Sequence, residues 1–334
     1  MLSQKLLAII QDGFPLVERP YKALAEMLNV SEQEVFDEVE KMRASGVIRR
    51  IGGVYDSKKL GFISRLCAGK VPASSLDFSA EPHSQTPMEK FAAVVNDEPA
   101  ITHNYIRSHE YNVWFTVIAE NESAIQAVVD RVCSQTDLHD VHVLTATKKY
   151  KINTVMGKGT NRHSEDRRAE ESSNFLRTLS EADKFRIHIA CDDIPHSLTP
   201  FKDWGVACDE LREDIDAKRM RRFGAILRHQ DAGFPCNAMV CFRLDEKRMT
   251  SGESSLANSE SAGSLLAKQH YISHCYERPS FENFPYNLYA MMHAQTPEEL
   301  DAYIKESVAL LDNPEYVVLH SLKELKKTSF RFFA

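Results

Sequence analysis

The amino-acid sequence predicts an α+β fold made of two tandem copies of one plan. In each copy a winged helix-turn-helix precedes a ferredoxin-like domain with the element order βαββαβ. Three observations predict this fold: the chain repeats its own motifs, each copy opens with apolar residues at helical spacing, and strand-like and helix-like segments then follow in that order.

The repeat is visible in several separated motifs. Residues 49–54 read Arg-Arg-Ile-Gly-Gly-Val, and residues 221–226 read Arg-Arg-Phe-Gly-Ala-Ile. Ile101–Arg107 similarly matches Ile272–Arg278, and residues 111–113 (Tyr-Asn-Val) match 286–288 (Tyr-Asn-Leu). A solenoid needs three or more shorter units, so two long copies indicate an internal dimer.

The first copy begins with three predicted helices. Apolar spacing places them at about 6–10, at 21–28, and from an N-cap at Ser31 through Met42. Gly46 ends the third helix, and the alternation from Val47 to Tyr55 predicts a short hairpin, the wing. The remaining elements are a strand at 63–71, a helix at 88–95, strands at 101–106 and 113–119, a helix at 122–132 and a last strand at 141–147.

The second copy repeats this order. Its predicted elements are helices near 181–190, 197–202 and 206–219, a hairpin through 221–224, strands near 237–243, 270–276, 286–292 and 315–322, and helices near 262–268 and 297–311. The predicted domains are 1–60, 61–154, 176–234 and 235–334, with a linker at 155–175. The Ser- and Gly-rich segment 245–264 is predicted to be a mobile loop.

Composition excludes several classes of protein. The chain has 334 residues, of which 43% are apolar and 27% charged, as expected of a globular protein. No run approaches the roughly 18 apolar residues of a membrane span, and the N-terminus lacks a signal-peptide core, so we expect a cytoplasmic protein without a membrane partner. Seven scattered cysteines without a CxxC pair argue against a disulfide framework and against zinc or iron-sulfur sites.

A helix-turn-helix raises the question of DNA binding. The recognition helix of such a domain needs lysines and arginines to neutralise phosphates. The third helix instead has five acidic residues against Lys41 and Arg43. Its counterpart has six acidic residues between Asp203 and Asp216, against three basic ones. With a net charge of −7, the sequence predicts that DNA is not a partner.

Arginine, histidine and tyrosine concentrate on the predicted hairpins and central strands. Strand alternation places His103, Tyr105 and Arg107 on one sheet face. Guanidinium groups bind carboxylates in pairs and tyrosine rings cover an apolar plane, so these residues predict a site for a flat, polycarboxylated ligand. The candidate binding residues are Arg49, Arg50, Arg221, Arg222, Arg228 and His229 around the wings, and Tyr105, Arg107, His109, Tyr111, Tyr276, Arg278 and Tyr286 on or beside the strands.

These motifs resemble the siroheme decarboxylases, the Lrp/AsnC-like pairs of alternative haem and haem d1 biosynthesis. The resemblance covers almost the whole chain and implies a natural fusion of the two usual subunits, a pseudo-heterodimer within one chain; a further homodimer stays open. It rests on the Arg-Arg-Ile/Phe-Gly-Gly/Ala motifs, on 103–105 and 111–115 in the first half, and on 274–279, 285–288 and 291–293 in the second.

The resemblance implies removal of carbon dioxide from two acetate side chains of siroheme, at C12 and C18, to give 12,18-didecarboxysiroheme. The tetrapyrrole and its iron can accept the electrons, so no cofactor and no metal beyond the substrate iron are expected. An imidazolium is a suitable proton donor near neutral pH. His103 and His274 are therefore the candidate catalytic acids, with Tyr105 and Tyr276 as positioning neighbours.

Two other functions remain open from the sequence: a ligand-responsive Lrp/AsnC-type transcription regulator, and a tetrapyrrole carrier without activity. The repeat also departs from itself, with Asn104 against Cys275, a longer segment at 277–285, and Tyr55-Asp56 against Leu227-Arg228. The sequence thus leaves open whether one half or both halves catalyse.

Overall fold

The computed structural model describes residues 2–72, 86–152, 179–227, 235–249, 260–328 and 330–333. The chain forms two compact units. One, the helix-turn-helix unit, contains Met1–Leu60, Val155–Ala232 and Arg331–Ala334; the other, the sheet unit, contains Gly61–Thr154 and Gly233–Phe330. Each unit combines segments from both copies of the repeat, as expected for an internal dimer. The predicted linker at 155–175 lies outside the described residues.

The α+β order predicted from the sequence is confirmed in both copies. The first copy contains α1 (Leu2–Asp12), α2 (Pro20–Leu28), α3 (Glu32–Ala44), β1 (Ile48–Tyr55), a 3₁₀ turn (Ser57–Leu60), β2 (Ile63–Gly69), α4 (Pro87–Asp97), β3 (Ile101–Arg107), β4 (Val113–Ala119), α5 (Glu122–Thr136), β5 (Val141–Leu144) and β6 (Lys148–Ile152). The second contains α6 (Glu181–Ala190), α7 (Pro200–Trp204), α8 (Cys208–Asp216), β7 (Met220–Leu227), β8 (Cys236–Phe242), α9 (Glu246–Met249), α10 (Ala262–Ala267), β9 (Ile272–Glu277), β10 (Leu288–Ala294), α11 (Pro297–Leu310) and β11 (Tyr316–Lys327).

Local residue chemistry explains the turn between α2 and α3. Pro20 begins α2, where its missing amide hydrogen has no cost, and Asn29 ends it in the left-handed conformation with a φ of 55°. Ser31 then caps α3 as predicted, because its hydroxyl accepts from the Glu34 amide and the Glu34 carboxylate accepts from the Ser31 amide.

The predicted wing hairpins at 47–55 and 221–224 are wrong. In the described residues β1 and β7 instead pair with each other, antiparallel, with Gly52 opposite Gly224. Alternation of side chains reports the pleat of a strand but does not identify the partner strand. Each copy thus contributes one strand to a ribbon that joins the two helix-turn-helix domains.

The two central glycines allow this ribbon to approach helix ends of the opposite copy. A Cβ on Gly224 would lie 2.6 Å from the Ile10 carbonyl oxygen, and one on Gly52 would collide with the carbonyl of Asp192. Beside them, the Phe14 amide donates to the Phe223 carbonyl at 2.8 Å. The repeated arginine-glycine motif therefore encodes the close contact between the two copies.

In the sheet unit the last strands of the two copies are exchanged. Among the described residues nine strands form one sheet, in the order β5-β2-β4-β3-β11-β8-β10-β9-β6. The first part of β11 pairs with β8 of its own copy, and its second part pairs with β3 of the other copy. Reciprocally, β6 pairs with β9. The predicted last strand at 141–147 is therefore wrong in extent. Strand β5 ends at Leu144, and the chain then crosses to the second copy, where β6 pairs with β9.

The sheet curls so that its two halves face each other. The chain runs from β5 to β6, at opposite ends of the strand order, through three residues, so Leu144 and Lys148 lie at most about 14 Å apart. Buried side chains of both copies meet on the inner faces, among them Trp114 and Leu144 of the first copy and Tyr289 and Leu319 of the second. The outer faces pack on α4 and α5 in one copy and on α10 and α11 in the other.

The segment 245–264, predicted to be a loop, is partly helical. Helix α9 occupies Glu246–Met249 and α10 begins at Ala262. Met249 and Ala262 are buried in the core of the second copy, so both described ends of this polar segment are anchored by apolar contacts. Residues 250–259 lie outside the described part.

Asn104 is a polar residue at a core position. It is fully buried on β3 opposite Phe115, and neither of its amide atoms has a hydrogen-bond partner in the described residues. Its counterpart Cys275 lies in the apolar core of the second copy. We expect Asn104→Cys to raise the free energy of unfolding by about 1–3 kcal/mol, the desolvation cost of an unpaired amide. Urea unfolding measures this change.

Asn112 provides the matched control, because its side chain donates to the Val71 carbonyl at 2.8 Å and accepts from the Val71 amide at 2.9 Å. Asn112→Cys should lower stability, since it removes both bonds. A loss of stability in Asn104→Cys as large as in Asn112→Cys would contradict the prediction.

Candidate active site

The two candidate acids occupy equivalent β-bulges in the sheet unit. On β3, Thr102 and His103 together oppose Thr116 of β4. On β9, the equivalent irregularity leaves His274 opposite Met291 of β10. A bulge inserts one residue, bends the strand and redirects a side chain, and bulges are frequent beside active sites. The duplication thus preserves a local distortion at each histidine.

A buried hydroxyl holds each histidine ring. The Thr102 hydroxyl oxygen lies 2.8 Å from Nδ1 of His103, and the Ser273 hydroxyl oxygen lies 2.9 Å from Nδ1 of His274. Both hydroxyl residues are buried, whereas both rings are half-buried. A bond at Nδ1 sets the orientation and the tautomer of an imidazole, so each ring is fixed by the residue that precedes it.

Arg107 lies on the same strand face as His103 and is buried between the two halves of the sheet. Its guanidinium carbon is 5.1 Å from the centre of the Tyr105 ring. One terminal nitrogen donates to the Leu319 carbonyl at 3.2 Å and to the Ser321 hydroxyl at 2.9 Å, both on β11 of the other copy. The predicted trio of His103, Tyr105 and Arg107 is thus aligned along β3.

Arg278 repeats this arrangement in the second copy. Its guanidinium carbon is 5.1 Å from the Tyr276 ring and 5.9 Å from the Tyr289 ring. A terminal nitrogen donates to the Leu144 carbonyl of β5 at 2.5 Å. Since Leu144 and Leu319 occupy equivalent positions, the two arginines cross between the copies in the same way.

Both arginines are buried cations with unused donor capacity. Burial lowers the pKa of Arg107 to about 10, so it stays protonated near neutral pH, and burial also lowers the pKa of Arg278. Their Nε atoms have no hydrogen-bond partner, and no ion pair with an acidic side chain is found for either, within the described residues. An uncompensated buried charge is unfavourable. A carboxylate from a ligand would stabilise both groups.

Tyr111 and His109 form an aromatic wall next to β4. The Tyr111 amide donates to Nδ1 of His109 at 3.0 Å, and the two rings stack with centres 6.2 Å apart. Burial lowers the pKa of His109. The Tyr111 hydroxyl lies 3.3 Å from Nε2 of His142, which is itself 2.8 Å from Asp140.

The longer segment 277–285 makes the two copies different. It places Phe281 and Phe284 with their ring centres 4.9 and 6.2 Å from that of Tyr111. Phe281 also stacks on His142 at 4.0 Å, and Tyr286 packs edge-on against Phe284 at 4.9 Å. Sequence reasoning missed the two phenylalanines, although their presence in the segment that breaks the repeat was a signal. An apolar wall therefore covers Tyr111 from the second copy.

The wing arginines belong to the helix-turn-helix unit, where Arg50 and Arg222 have structural contacts. Arg50 donates to the Asp192 carbonyl at 3.3 Å and to the Gly53 carbonyl at 3.1 Å. Arg222 donates equivalently, to the Gln11 carbonyl at 2.5 Å and to the Ala225 carbonyl. Each guanidinium thus binds a carbonyl at the end of the first helix of the opposite copy, where such groups lack helical partners.

Four other candidate binding residues were predicted around the wings. Arg221 forms an ion pair with Asp56 at 2.9 Å and is partly exposed, and Arg49 is half-buried on β1. Arg228 and His229 lie outside the described residues. Binding of substrate by Arg49, Arg50, Arg221 and Arg222 stays a prediction.

The described residues contain neither an evident metal site nor a membrane-spanning helix. In the part of the chain that the structure describes, no three histidine, cysteine or acidic side chains are grouped suitably for a metal ion. Nor does any described helix have the length and apolar character needed to cross a membrane. The absence of a cofactor stays a prediction.

Comparison with known families identifies the class of protein. Residues 3–49 match a siroheme decarboxylase NirDL-like helix-turn-helix domain, and residues 59–151 and 231–326 each match an AsnC-like ligand-binding domain. The chain is therefore a tandem AsnC-like protein with its two ligand-binding domains in one polypeptide. This class agrees with the fold and with the exchange of strands between copies.

Individual relatives narrow the class to one family. A siroheme decarboxylase of Hydrogenobacter thermophilus is 30% identical over 99% of this chain and 94% of its own length. The crystal structure of the siroheme decarboxylase NirDL with an iron-uroporphyrin III analogue superposes with a TM-score of 0.67, at 26% identity, over 100% of this chain and 95% of that one. The chain belongs to the siroheme decarboxylase family.

A half-length relative supports the fused pseudo-dimer. The siroheme decarboxylase alpha subunit of Desulfovibrio desulfuricans is 44% identical over 45% of this chain and 80% of its own length. The family thus includes separate subunits that correspond to about half of this chain. The predicted fusion of two subunits agrees with this relation and with the internal repeat.

Proposed function

We propose that this chain is a siroheme decarboxylase that converts siroheme to 12,18-didecarboxysiroheme, for haem or haem d1 synthesis. Membership of the family supports the activity. The activity is assigned to a site by the duplicated arrangement on β3 and β9. On each strand a histidine at a bulge, a tyrosine and a buried arginine follow one another at alternate positions. Two such sites match the two acetate groups of one substrate.

Each step breaks the bond between an acetate methylene carbon and its carboxylate carbon. Carbon dioxide leaves, the electron pair passes into the conjugated tetrapyrrole, and a proton added to the methylene carbon gives a methyl group. The step needs no external oxidant or reductant, because the substrate ring itself accepts and returns the electron pair. The protein must therefore hold carboxylates and deliver one proton per acetate.

The described side chains suit these two tasks. Arg107 and Arg278 can bind carboxylates, because their guanidinium groups are charged and keep an unused Nε donor. His103 and His274 are the proposed proton donors, each held at Nδ1 by a hydroxyl. The half-buried ring of Phe281 provides apolar surface for the face of a flat ring, and the buried rings of Tyr111 and Phe284 hold it from behind.

Anaerobic incubation of the purified protein with siroheme tests the proposal. We expect two successive losses of carbon dioxide in the product mass, with unchanged rates in a His139→Gln control, since the His139 side chain is 87% exposed. Binding of siroheme without loss of mass would indicate a carrier instead. Binding of the protein to its own promoter with a steep salt dependence would favour the regulator.

We also propose that the chain acts in the cytoplasm and does not use DNA as a partner. Glu34 and Asp37 are exposed on α3, the helix that would have to enter the major groove. Negative side chains at that surface repel phosphates. Fluorescence anisotropy at low salt, where such binding is strongest, should show no saturable binding to a duplex; tight binding would overturn this proposal.

A further inference from the structure

A second imidazole approaches the site of the second copy. The Ser273 hydroxyl oxygen lies 2.9 Å from Nδ1 of His274 and 2.8 Å from Nε2 of His293. Ser273 is only 5% exposed, so bulk water does not compete strongly for its hydroxyl. One buried hydroxyl thus bridges two histidine rings, one of which is the proposed acid.

The chemistry of a hydroxyl gives this bridge a direction. The Ser273 hydroxyl has one hydrogen, and besides the two ring nitrogens the Met291 carbonyl oxygen lies 3.4 Å from its oxygen. When the hydroxyl donates to one ring, at the shorter distance, the other ring must donate to the hydroxyl oxygen. If His293 donates and His274 accepts, the bonds form a continuous path from Nε2 of His293 through the hydroxyl to Nδ1 of His274. Along such a path a proton can be replaced at one end when it leaves at the other.

The first copy lacks this bridge. Thr102 contacts His103 at 2.8 Å as Ser273 contacts His274, but Ile118 of β4 occupies the position of His293 of β10. No second imidazole contacts the Thr102 hydroxyl within the described ranges. The two copies therefore position the candidate acid in the same way, through a hydroxyl at Nδ1. Among the described residues they differ in the residue on the far side of that hydroxyl, which is a histidine only in the second copy.

We propose that His293 is a positioning residue that orients His274 through Ser273 and restores its proton, which makes the second-copy site the faster of the two. This inference rests on the proposed decarboxylation. An imidazolium at His293 passes its Nε2 proton to Ser273, Ser273 passes its own hydrogen to Nδ1 of His274, and His274 releases its Nε2 proton to the methylene carbon. Each transfer breaks one bond to hydrogen and forms one, and the net result moves one proton from His293 to the carbon. Uptake of one solvent proton at Nε2 of the half-buried His274 ring, with return of the other two protons along the same path, restores the starting state.

Two substitutions separate this role from a structural one. His293→Ile copies the residue of the first half, and His293→Gln keeps a hydrogen bond to Ser273 without carrying a positive charge. In single-turnover reactions of the full chain we expect His293→Ile to slow one of the two decarboxylations about 10-fold or more, below the 10²–10⁴-fold effect of losing an acid. His293→Gln should recover part of that loss, with an unchanged KM for siroheme.

A second readout does not depend on turnover. The ring-nitrogen NMR signals of His274, in protein labelled with ¹⁵N-histidine, should move in His293→Gln and stay in place in the matched first-copy variant Ile118→Val. Wild-type rates for both acetates in His293→Ile, or unmoved His274 signals, would overturn the proposal. A wild-type protein that releases no carbon dioxide would instead overturn the proposed function itself.

Discussion

Replacing both His103 and His274 by alanine should abolish turnover while siroheme still binds. A general acid typically contributes about 10²–10⁴-fold to a rate, and the double variant removes the proposed acid from each copy. Both rings are half-buried at the inner face of the sheet, so their removal should change the rate well before it changes the fold. Single-turnover decarboxylation at saturating siroheme, followed by product mass, measures this loss.

The two single variants should differ from each other. Among the described residues, a hydroxyl that contacts two histidine rings is found in the second copy and not in the first. We therefore expect His274→Ala to lower the rate more than His103→Ala. Equal losses in both would show that the copies work independently at similar speed. Wild-type rates in all three variants would remove both histidines from catalysis and assign the proton to a tyrosine or to bound water.

Local pattern was sufficient to predict the order of elements but not the pairing of strands. Apolar spacing and the Ser31 cap depend on neighbouring residues, so the sequence reports them directly. The pairing of β1 with β7 and the exchange of β6 and β11 join residues far apart in the chain. Alternation cannot distinguish these partners from a nearby strand, which is why the hairpins were predicted wrongly.

Prediction of the site has the same limit: contacts between neighbouring residues of one strand can be predicted, and contacts between strands cannot. Duplication and alternation were enough to place His103, Tyr105 and Arg107 on one face. The bridge from Ser273 to His293 depends on a bulge and on the neighbouring strand, and no spacing in the sequence reports it. Charge alone also does not show whether a guanidinium meets a ligand or a backbone carbonyl, so the contacts of Arg50 and Arg222 with backbone carbonyls could not be predicted from the sequence.

Gly52→Ala and Gly224→Ala should each lower the free energy of unfolding by about 2–4 kcal/mol, the largest stability effect expected in the helix-turn-helix unit. At Gly224 a Cβ would lie 2.6 Å from the Ile10 carbonyl oxygen, and at Gly52 it would collide with the Asp192 carbonyl. Both obstacles are backbone atoms, so relief requires moving the β1–β7 ribbon away from the helix ends. That movement would also stretch the bonds of Arg50 and Arg222 to the same regions.

Gly13→Ala is the matched control. A Cβ there meets no atom within 4 Å, so the substitution should be neutral or stabilise by up to about 1 kcal/mol through the unfolded chain. Thermal and urea unfolding of the three variants measures the difference, and hydrogen exchange in β1 and β7 locates it, because a displaced ribbon exchanges its amides faster. Equal stability of Gly52→Ala and Gly13→Ala would show that the helix ends move away from the ribbon at little cost in free energy. The arginine-glycine motif would then need another explanation, and binding of substrate carboxylates by Arg50 and Arg222 would be the first to test.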